Sequence, residues 1–183
     1  MPVLTSMGLK KIWIAEANSA DTTQFPAYGN TWADLGDVYK DTCQLVDGDP
    51  DEVKHESETS SRKITLYGET PTTVELSLMD PDMVLLQKYF GGTITGTAGA
   101  RHWIRPKKLP YKEFAVLQQP EEGIVIGCSN CVIKPKFEIT YSKTGIALVP
   151  LVITYQDELH GIEIGDGWDP TKTTSTPALN PSA

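Results

Sequence analysis

Apolar and polar residues alternate along residues 62–79, which is the pattern of β-strands with one buried and one solvated face. The apolar positions of the two runs are Ile64, Leu66, Val74, Leu76 and Leu78. The polar face between them carries Lys63, Thr65, Tyr67, Thr73, Glu75 and Ser77. Residues 68–71 contain Gly and Pro, so the pattern predicts a hairpin that turns there.

One helix is predicted directly after this hairpin, over about residues 81–90. Asp80 is the expected N-cap, Pro81 suits the first helical position, and Asp82 complements the helix dipole. Gly91 can adopt the left-handed conformation that ends a helix.

The rest of the chain is rich in short β patterns. Strands are predicted at 9–15, 39–46, 102–105, 112–118 and 123–127, and a long hairpin pairs 131–141 with 146–156. The second strand of that hairpin is apolar on both faces, so it needs two covers, and a neighbouring subunit is one candidate. The predicted fold is mainly β: a β-sandwich or rolled barrel of two antiparallel sheets with one flanking helix.

Composition indicates one domain over 1–165 and a mobile tail rich in Pro, Thr and Ser over 166–183. No apolar run is long enough to span a membrane, and the N-terminus does not read as a secretory signal, so we expect a cytosolic origin and no membrane partner. Three cysteines without an export signal favour free thiols. The net charge of −8 opposes nucleic-acid binding but suits a surface past which DNA slides.

The segment 47–61 is acidic and interrupted by Gly and Pro, so we expect a projecting loop. Asp47, Asp49, Asp51 and Glu58 superficially follow a calcium-loop spacing. Glu52 stands where such a loop requires Gly, and strands rather than helices flank the segment. We therefore predict a solvated or subunit-contacting loop and no metal or other cofactor.

Cys128 and Cys131 have the spacing of half a zinc site, but a second ligand pair is missing. Zinc binding, a redox pair and simple packing are the alternatives, and packing is favoured. Ser129 and Asn130 are predicted to form the two-residue turn of a hairpin.

No signature of a catalytic nucleophile or metalloprotease occurs, and the three histidines lie in unrelated contexts, so we predict that the chain is not an enzyme. Residues 101–108 mix cations with Trp103 and are compatible with a phosphate contact. Because Arg101, Trp103 and Arg105 share one strand face, a cation–π cluster or a salt-bridging interface is the favoured interpretation.

Over residues 8–165 the order of these features resembles the major tail tube proteins of long-tailed, siphovirus-like bacteriophages. The resemblance rests on the first strand, the lead-in at 34–42, the acidic loop around Glu56 and Glu58, the strand-to-helix junction at 72–82, and the closing hairpin that ends at 151–155.

The resemblance implies stacked hexameric rings that form the tail tube, a conduit for DNA ejection into the host. It implies inner-sheet strands over 62–79, with the polar face listed above, and an inter-ring loop over 47–61. The loop residues are Asp47, Asp49, Asp51, Glu52, His55, Glu56 and Glu58. Implied partners are further copies, tape measure, tail terminator and baseplate proteins, and genomic DNA in transit without specific binding. The implied location is the virion tail, after assembly in the host cytoplasm.

Three alternatives stay open at this point. The first is a tube protein of a contractile tail or secretion-type injection machine, which shares the ring plan. The second is a virion-associated sugar-binding β-sandwich that presents Trp32, Trp103 and Trp168 as an exposed platform. The third is a small hydrolase that depends on one histidine.

Overall fold

A computed structural model describes residues 7–17, 25, 32–79, 82–138, 145–164 and 167–172. The elements found there are β1 (Met7–Glu16), β2 (Ala33–Asp34), β3 (Gln44–Asp47), β4 (Glu52–Glu56), β5 (Lys63–Tyr67), β6 (Thr72–Met79), α1 (Met83–Phe90), β7 (Thr93–Thr95), β8 (His102–Ile104), β9 (Lys112–Glu122), β10 (Ile124–Pro135), β11 (Leu148–Tyr155) and β12 (His160–Glu163). The predicted class is confirmed, because the chain is mainly β and antiparallel with one helix in the described part.

Eight strands form one antiparallel sheet in the order β2-β1-β9-β10-β11-β6-β3, with β12 beside the first half of β10. The predicted closing hairpin is present as the β10–β11 pair, in which Cys131 lies opposite Tyr155 and Pro135 opposite Leu151. Its turn, residues 139–144, lies outside the described residues. Two small sheets, β4–β5 and β7–β8, stand beside the large one.

Residues 33–39 connect β1, near one end of the large sheet, to β6, near the other end. The Leu35 N–H donates to the Ile12 carbonyl of β1 at 2.9 Å, and four residues later the Tyr39 N–H donates to the Ser77 carbonyl of β6 at 2.8 Å. The sheet therefore rolls into a barrel, and the two layers predicted from the sequence belong to one continuous sheet.

The alternating apolar positions fill the interior of this barrel. Buried side chains from β6 and β11 are Val74, Leu76, Leu78, Val149, Leu151 and Ile153. The other face of β11, which includes Val152, is half-buried. β9 is the strand covered on both faces, because a second cluster around Trp32, Leu117 and Val125 packs on its outer side.

Residues 167–172 belong to this packed body, although the sequence places them in the tail. Trp168 packs against the second cluster, and its carbonyl accepts a hydrogen bond from Gln119 Nε2 at 3.2 Å. The remainder of the predicted tail, residues 173–183, lies outside the described residues.

The N-cap of helix α1 lies two residues later than the sequence predicts. Asp82, not Asp80, caps it, because Asp82 has extended backbone and its Oδ1 accepts the Leu85 N–H at 2.7 Å. Asp80 and Pro81 lie outside the described residues. Gly91 ends the helix at φ 72°, as predicted. In the described ranges no helix has the length and apolar character needed to cross a bilayer.

The predicted hairpin between residues 63–67 and 72–79 is wrong. β5 pairs with β4, and β6 lies between β3 and β11 in the large sheet. Residues 68–71 connect the two sheets, and the Gly68 N–H donates to the Asp51 carbonyl at 2.8 Å. Alternation identifies each strand and its apolar face, which is buried on β6 but exposed on β5, where Ile64 and Leu66 were expected to be buried. Any antiparallel neighbour satisfies the alternation equally well.

The predicted turn at Ser129 and Asn130 is also wrong, because both residues lie within β10. Cys128 is opposite Val116 of β9 and Cys131 is opposite Phe114, so β10 carries one extra residue between them. A β-bulge absorbs this residue and the strand continues.

Candidate assembly surfaces

β4 and β5 form an arm, defined here as residues 51–70, in which every residue is exposed except the half-buried Thr65. The segment predicted as a loop, residues 47–61, thus contains the strand β4. Of the seven residues proposed for the inter-ring loop, Asp47 ends β3, Asp49 precedes the arm, and Asp51 is its first residue. Glu52, His55 and Glu56 lie on β4, and Glu58 lies in its connection to β5.

One face of the arm is apolar and uncovered. Val53 lies opposite Leu66 and His55 opposite Ile64, so these four side chains share a face. The three aliphatic residues keep large exposed fractions, 50% for Val53, 43% for Ile64 and 55% for Leu66. We call these four residues the apolar face of the arm.

The opposite face of the arm is polar, and its cations are already paired. Lys54 Nζ lies 2.9 Å from Glu52 Oε2, and Lys63 Nζ lies 2.7 Å from Glu56 Oε1. Exposed pairs of this kind contribute little stability, at most about 1 kcal/mol each. They leave the arm with an excess of acidic side chains, because Asp51, Glu58 and Glu69 take part in none of the salt bridges found in the described residues.

The predicted inner-sheet polar face is divided between two sheets. Lys63, Thr65 and Tyr67 lie on the arm, whereas Thr73, Glu75 and Ser77 lie on the outer side of β6. The division follows from the wrong pairing of β5 with β6, since residues on different sheets do not share a surface.

The outer side of β6 continues across its neighbours. Glu75 lies opposite Gln44 of β3 and Val152 of β11, and Val152 lies opposite Lys134 of β10. Because residues directly opposite one another point to the same side of a sheet, these four side chains form one row. We call this side of β3, β6, β11 and β10 the outer face.

The three tryptophans do not form an exposed platform. Trp32 is 5% exposed and lies in the second cluster with the half-buried Trp168, whereas Trp103 packs against the main core. Trp103 Nε1 donates to the Gly91 carbonyl at 3.0 Å. The feature that suggested sugar binding is therefore absent.

A cation–π cluster does form near residues 101–108, but phenylalanines accept the cation. The Arg105 guanidinium lies 5.6 Å from the Phe90 ring and 6.0 Å from the Phe137 ring. Trp103 meets the same two rings at 6.0 and 6.2 Å. The sequence could not identify Phe90 and Phe137, which come from other elements.

The two cysteines of β10 are free, fully buried thiols. Hydrogen bonding by the Cys131 thiol lowers the pKa of Cys128, and burial raises the pKa of Cys131 well above its usual range. Next to them the Tyr155 hydroxyl accepts a hydrogen bond from Gln118 Nε2 at 3.0 Å. Burial raises the pKa of this hydroxyl as well. The arrangement fits the predicted packing role.

A cavity of about 850 Å³ opens between the first half of β1 and residues 36–45. Its rim carries Lys10, Lys40, Asp37, Asp41 and Glu121. None of the histidines lines it in the described part of the chain. Across all the described residues, no group of three or more His, Cys, Asp or Glu side chains is placed so that it could hold a metal ion.

No family model matches the chain, and a search of curated proteins finds no match. Among solved structures, a chain from the virion of a native gene transfer agent particle is similar at 12% identity and TM-score 0.42, over 84% of this chain and 96% of that one. The sheath/tube terminator structure of an extracellular contractile injection system, PVC, in its extended state, is similar at 9% identity and TM-score 0.39, over 88% and 99%. The tube-terminating cap of the anti-feeding prophage is similar at 10% identity and TM-score 0.40, over 87% and 93%. Structural similarity at these identities and TM-scores supports no conclusion about assembly or activity.

Proposed function

We propose that this protein is a structural subunit that assembles with copies of itself into stacked hexameric rings, forming a phage tail tube through which DNA passes. The observation that carries this proposal is the arm, whose apolar face no described part of the chain covers. The ring number, the stacking and the DNA passage come from the family resemblance of residues 8–165.

An arm of this kind needs a partner for physical reasons. A two-stranded sheet is marginally stable in water unless its apolar side packs against something. Val53, Ile64 and Leu66 expose apolar area side by side, and burying a side chain of this size contributes about 1.5 to 3 kcal/mol. Among the described strands β4 and β5 pair only with each other, so both outer edges of the arm keep backbone groups available for pairing. Contact with further copies would satisfy both features at once.

The outer face of the large sheet is the proposed lumen surface. Thr73, Glu75 and Ser77 retain this role from the sequence analysis, whereas Lys63, Thr65 and Tyr67 are reassigned to the arm. Each copy contributes a net charge of −8, so a ring of copies repels the phosphate backbone. That repulsion would let DNA move through without sticking.

A structural rather than catalytic role is part of the proposal. The cavity beside β1 is lined by lysines, carboxylates and aliphatic side chains, with no histidine among the described residues. Tape measure, terminator and baseplate proteins are the proposed partners, and the virion tail is the proposed location.

A tube subunit of a contractile tail or secretion-type injection machine would have the same surfaces. Binding of a sheath protein to purified tubes would distinguish that case.

Negative-stain microscopy of concentrated purified protein tests the proposal. Rings or tubes with a central hole are expected for the wild type. The double variant Val53→Asp, Leu66→Asp places two charges on the apolar face and should abolish them, whereas Thr65→Asp on the opposite face should have a much smaller effect. Circular dichroism checks that all three proteins are folded. A wild type that stays monomeric at every concentration would contradict the proposal.

A further inference from the structure

We infer that the arm of one copy docks on the basic segment of another copy, where the basic segment is residues 101–112. The inference rests on the proposed self-assembly and names the surface that receives the arm. It follows from charge and apolar exposure that match between two separate parts of the chain.

The basic segment concentrates positive charge in an acidic protein. It contains no Asp or Glu, while the chain as a whole carries −8. Its exposed cations are Arg101, Arg105, Lys107, Lys108 and Lys112. None of them takes part in a salt bridge within the described residues. Arg105 lies over the Phe90 and Phe137 rings, and Lys112 Nζ donates to the Lys88 carbonyl at 3.5 Å. The charges most available to a partner are therefore those of Arg101, Lys107 and Lys108.

The basic segment also exposes apolar side chains on a firmly held backbone. Ile104 is 52% exposed and Tyr111 is 63% exposed. Trp103 and Leu109 of the same segment pack against the main core and hold the segment in place. A rigid surface with exposed aromatic and aliphatic groups is typical of protein interfaces, because little ordering entropy is lost on binding.

The arm has the complementary properties. Residues 51–70 contain five carboxylates and three Lys or Arg side chains. Two of those cations, Lys54 and Lys63, are already held by Glu52 and Glu56. The uncompensated charge of the arm is therefore negative, and its apolar face would meet Ile104 and Tyr111. Opposite charge around an apolar contact favours both encounter and correct orientation.

A second copy is the occupant that fits best. In the described part of one chain, no salt bridge joins the arm to the basic segment, so both surfaces remain unsatisfied. Each copy would offer an arm to one neighbour and a basic segment to another. Such a head-to-tail contact propagates into a ring or a filament rather than ending at a dimer.

A charge-swap experiment tests this contact. One variant carries Lys107→Glu and Lys108→Glu, and the other carries Asp51→Lys and Glu69→Lys on the arm. Each alone should weaken assembly about tenfold, the expected size when two surface attractions become repulsions. An equimolar mixture should recover assembly, because each altered arm then meets an altered segment. The double variant Lys10→Glu, Lys40→Glu, which changes two exposed cations elsewhere, is the control. Mixing it with the arm variant should not recover assembly.

Carbodiimide coupling of a mixture of ¹⁴N-labelled and ¹⁵N-labelled protein gives an independent readout. Amide links between Lys107 or Lys108 and arm carboxylates should include pairs with one light and one heavy peptide. If every link joined two peptides with the same isotope label, the arm would be folding onto the basic segment of its own chain, and the inference would be overturned. Protection of these lysines from acetylation by added duplex DNA, and not by assembly, would also overturn it.

The two proposals fail in different ways. If the wild type assembles and the mixture of charge-swap variants is not rescued, the docking surface is wrong while the proposed function stands. If the wild type never assembles, the proposed function fails and this inference fails with it.

Discussion

The Tyr89 hydroxyl of α1 donates a hydrogen bond to the Leu35 carbonyl at 3.1 Å, and Leu35 lies in the segment that closes the barrel. Both residues are buried, at 3% and 1% exposure. The helix therefore holds the closing segment against β1 and β6, and does more than cover the core.

Removing this bond should measurably destabilise the barrel. Tyr89→Phe deletes the donor and leaves the buried Leu35 carbonyl without it, at an expected cost of about 1 to 3 kcal/mol in the free energy of unfolding. Urea denaturation followed by tryptophan fluorescence measures this cost. Tyr67→Phe, at an exposed position on the arm, is the matched control and should change stability by less than about 0.5 kcal/mol. Equal effects of the two substitutions would contradict the role of Tyr89.

Stability should fall at alkaline pH because of two buried tyrosines. Burial raises the pKa values of Tyr89 and Tyr155 in the folded protein, while in the unfolded chain they titrate near about 10. Above that pH the unfolded state binds fewer protons, so the free energy of unfolding decreases as pH rises. Unfolding midpoints from pH 8 to 11 should show this decline, and Tyr155→Phe should make it shallower. A decline of the same slope in the Tyr155 variant would count against the assignment.

The close approach of Gly92 to β8 predicts a large difference between two glycine substitutions. A Cβ at Gly92, φ 96°, would lie 2.1 Å from the Ile104 carbonyl oxygen, whereas a Cβ at Gly99, φ 87°, would meet nothing within 4 Å. Gly99→Ala should cost about 1 kcal/mol for its positive φ alone. Gly92→Ala should cost more than about 3 kcal/mol, because backbone must move. Thermal unfolding of the two variants compares them directly.

Thiol reactivity should separate the three cysteines. Cys43 is half-buried, whereas Cys128 and Cys131 are fully buried, so a disulfide reagent should modify Cys43 first and the other two after unfolding. Absorbance at fixed reagent concentration follows the two phases. Cys43→Ser should remove the fast phase only, and a fast phase that persists would show that β10 opens in the native state.

Local sequence patterns predict a helix end correctly where the chemistry of a few neighbouring residues decides where the helix stops. The sequence predicts Gly91 as the helix end because glycine readily adopts positive φ, and its φ is 72°. It predicts Asp80 as the N-cap because an aspartate before proline is an equally good candidate in sequence. Which aspartate meets the Leu85 N–H depends on the path by which the chain leaves β6.

The candidate surfaces show the same division. The acidic, Gly- and Pro-interrupted composition of 47–61 indicated a segment outside the core, and that segment is exposed. The sequence predicts that Ile64 and Leu66 share an apolar face, but it expects that face to be buried beside β6. Val53 joins the face, and the face stays exposed, because β5 pairs with β4 instead. The basic character of 101–108 was visible in the sequence, but its exposure and freedom from carboxylates depend on what packs around it.

By itself the sequence determined that this is a mainly β chain, that residues 72–79 bury Val74, Leu76 and Leu78, and that a short helix follows. A period of two is a property of one strand, so it can be recognised without neighbours. The tertiary structure decided that β5 leaves the barrel with β4, that residues 33–39 close the sheet, and that β10 runs unbroken through its bulge. Pairing, closure and bulges depend on hydrogen bonds between residues far apart in the chain, for which a local pattern holds no preference.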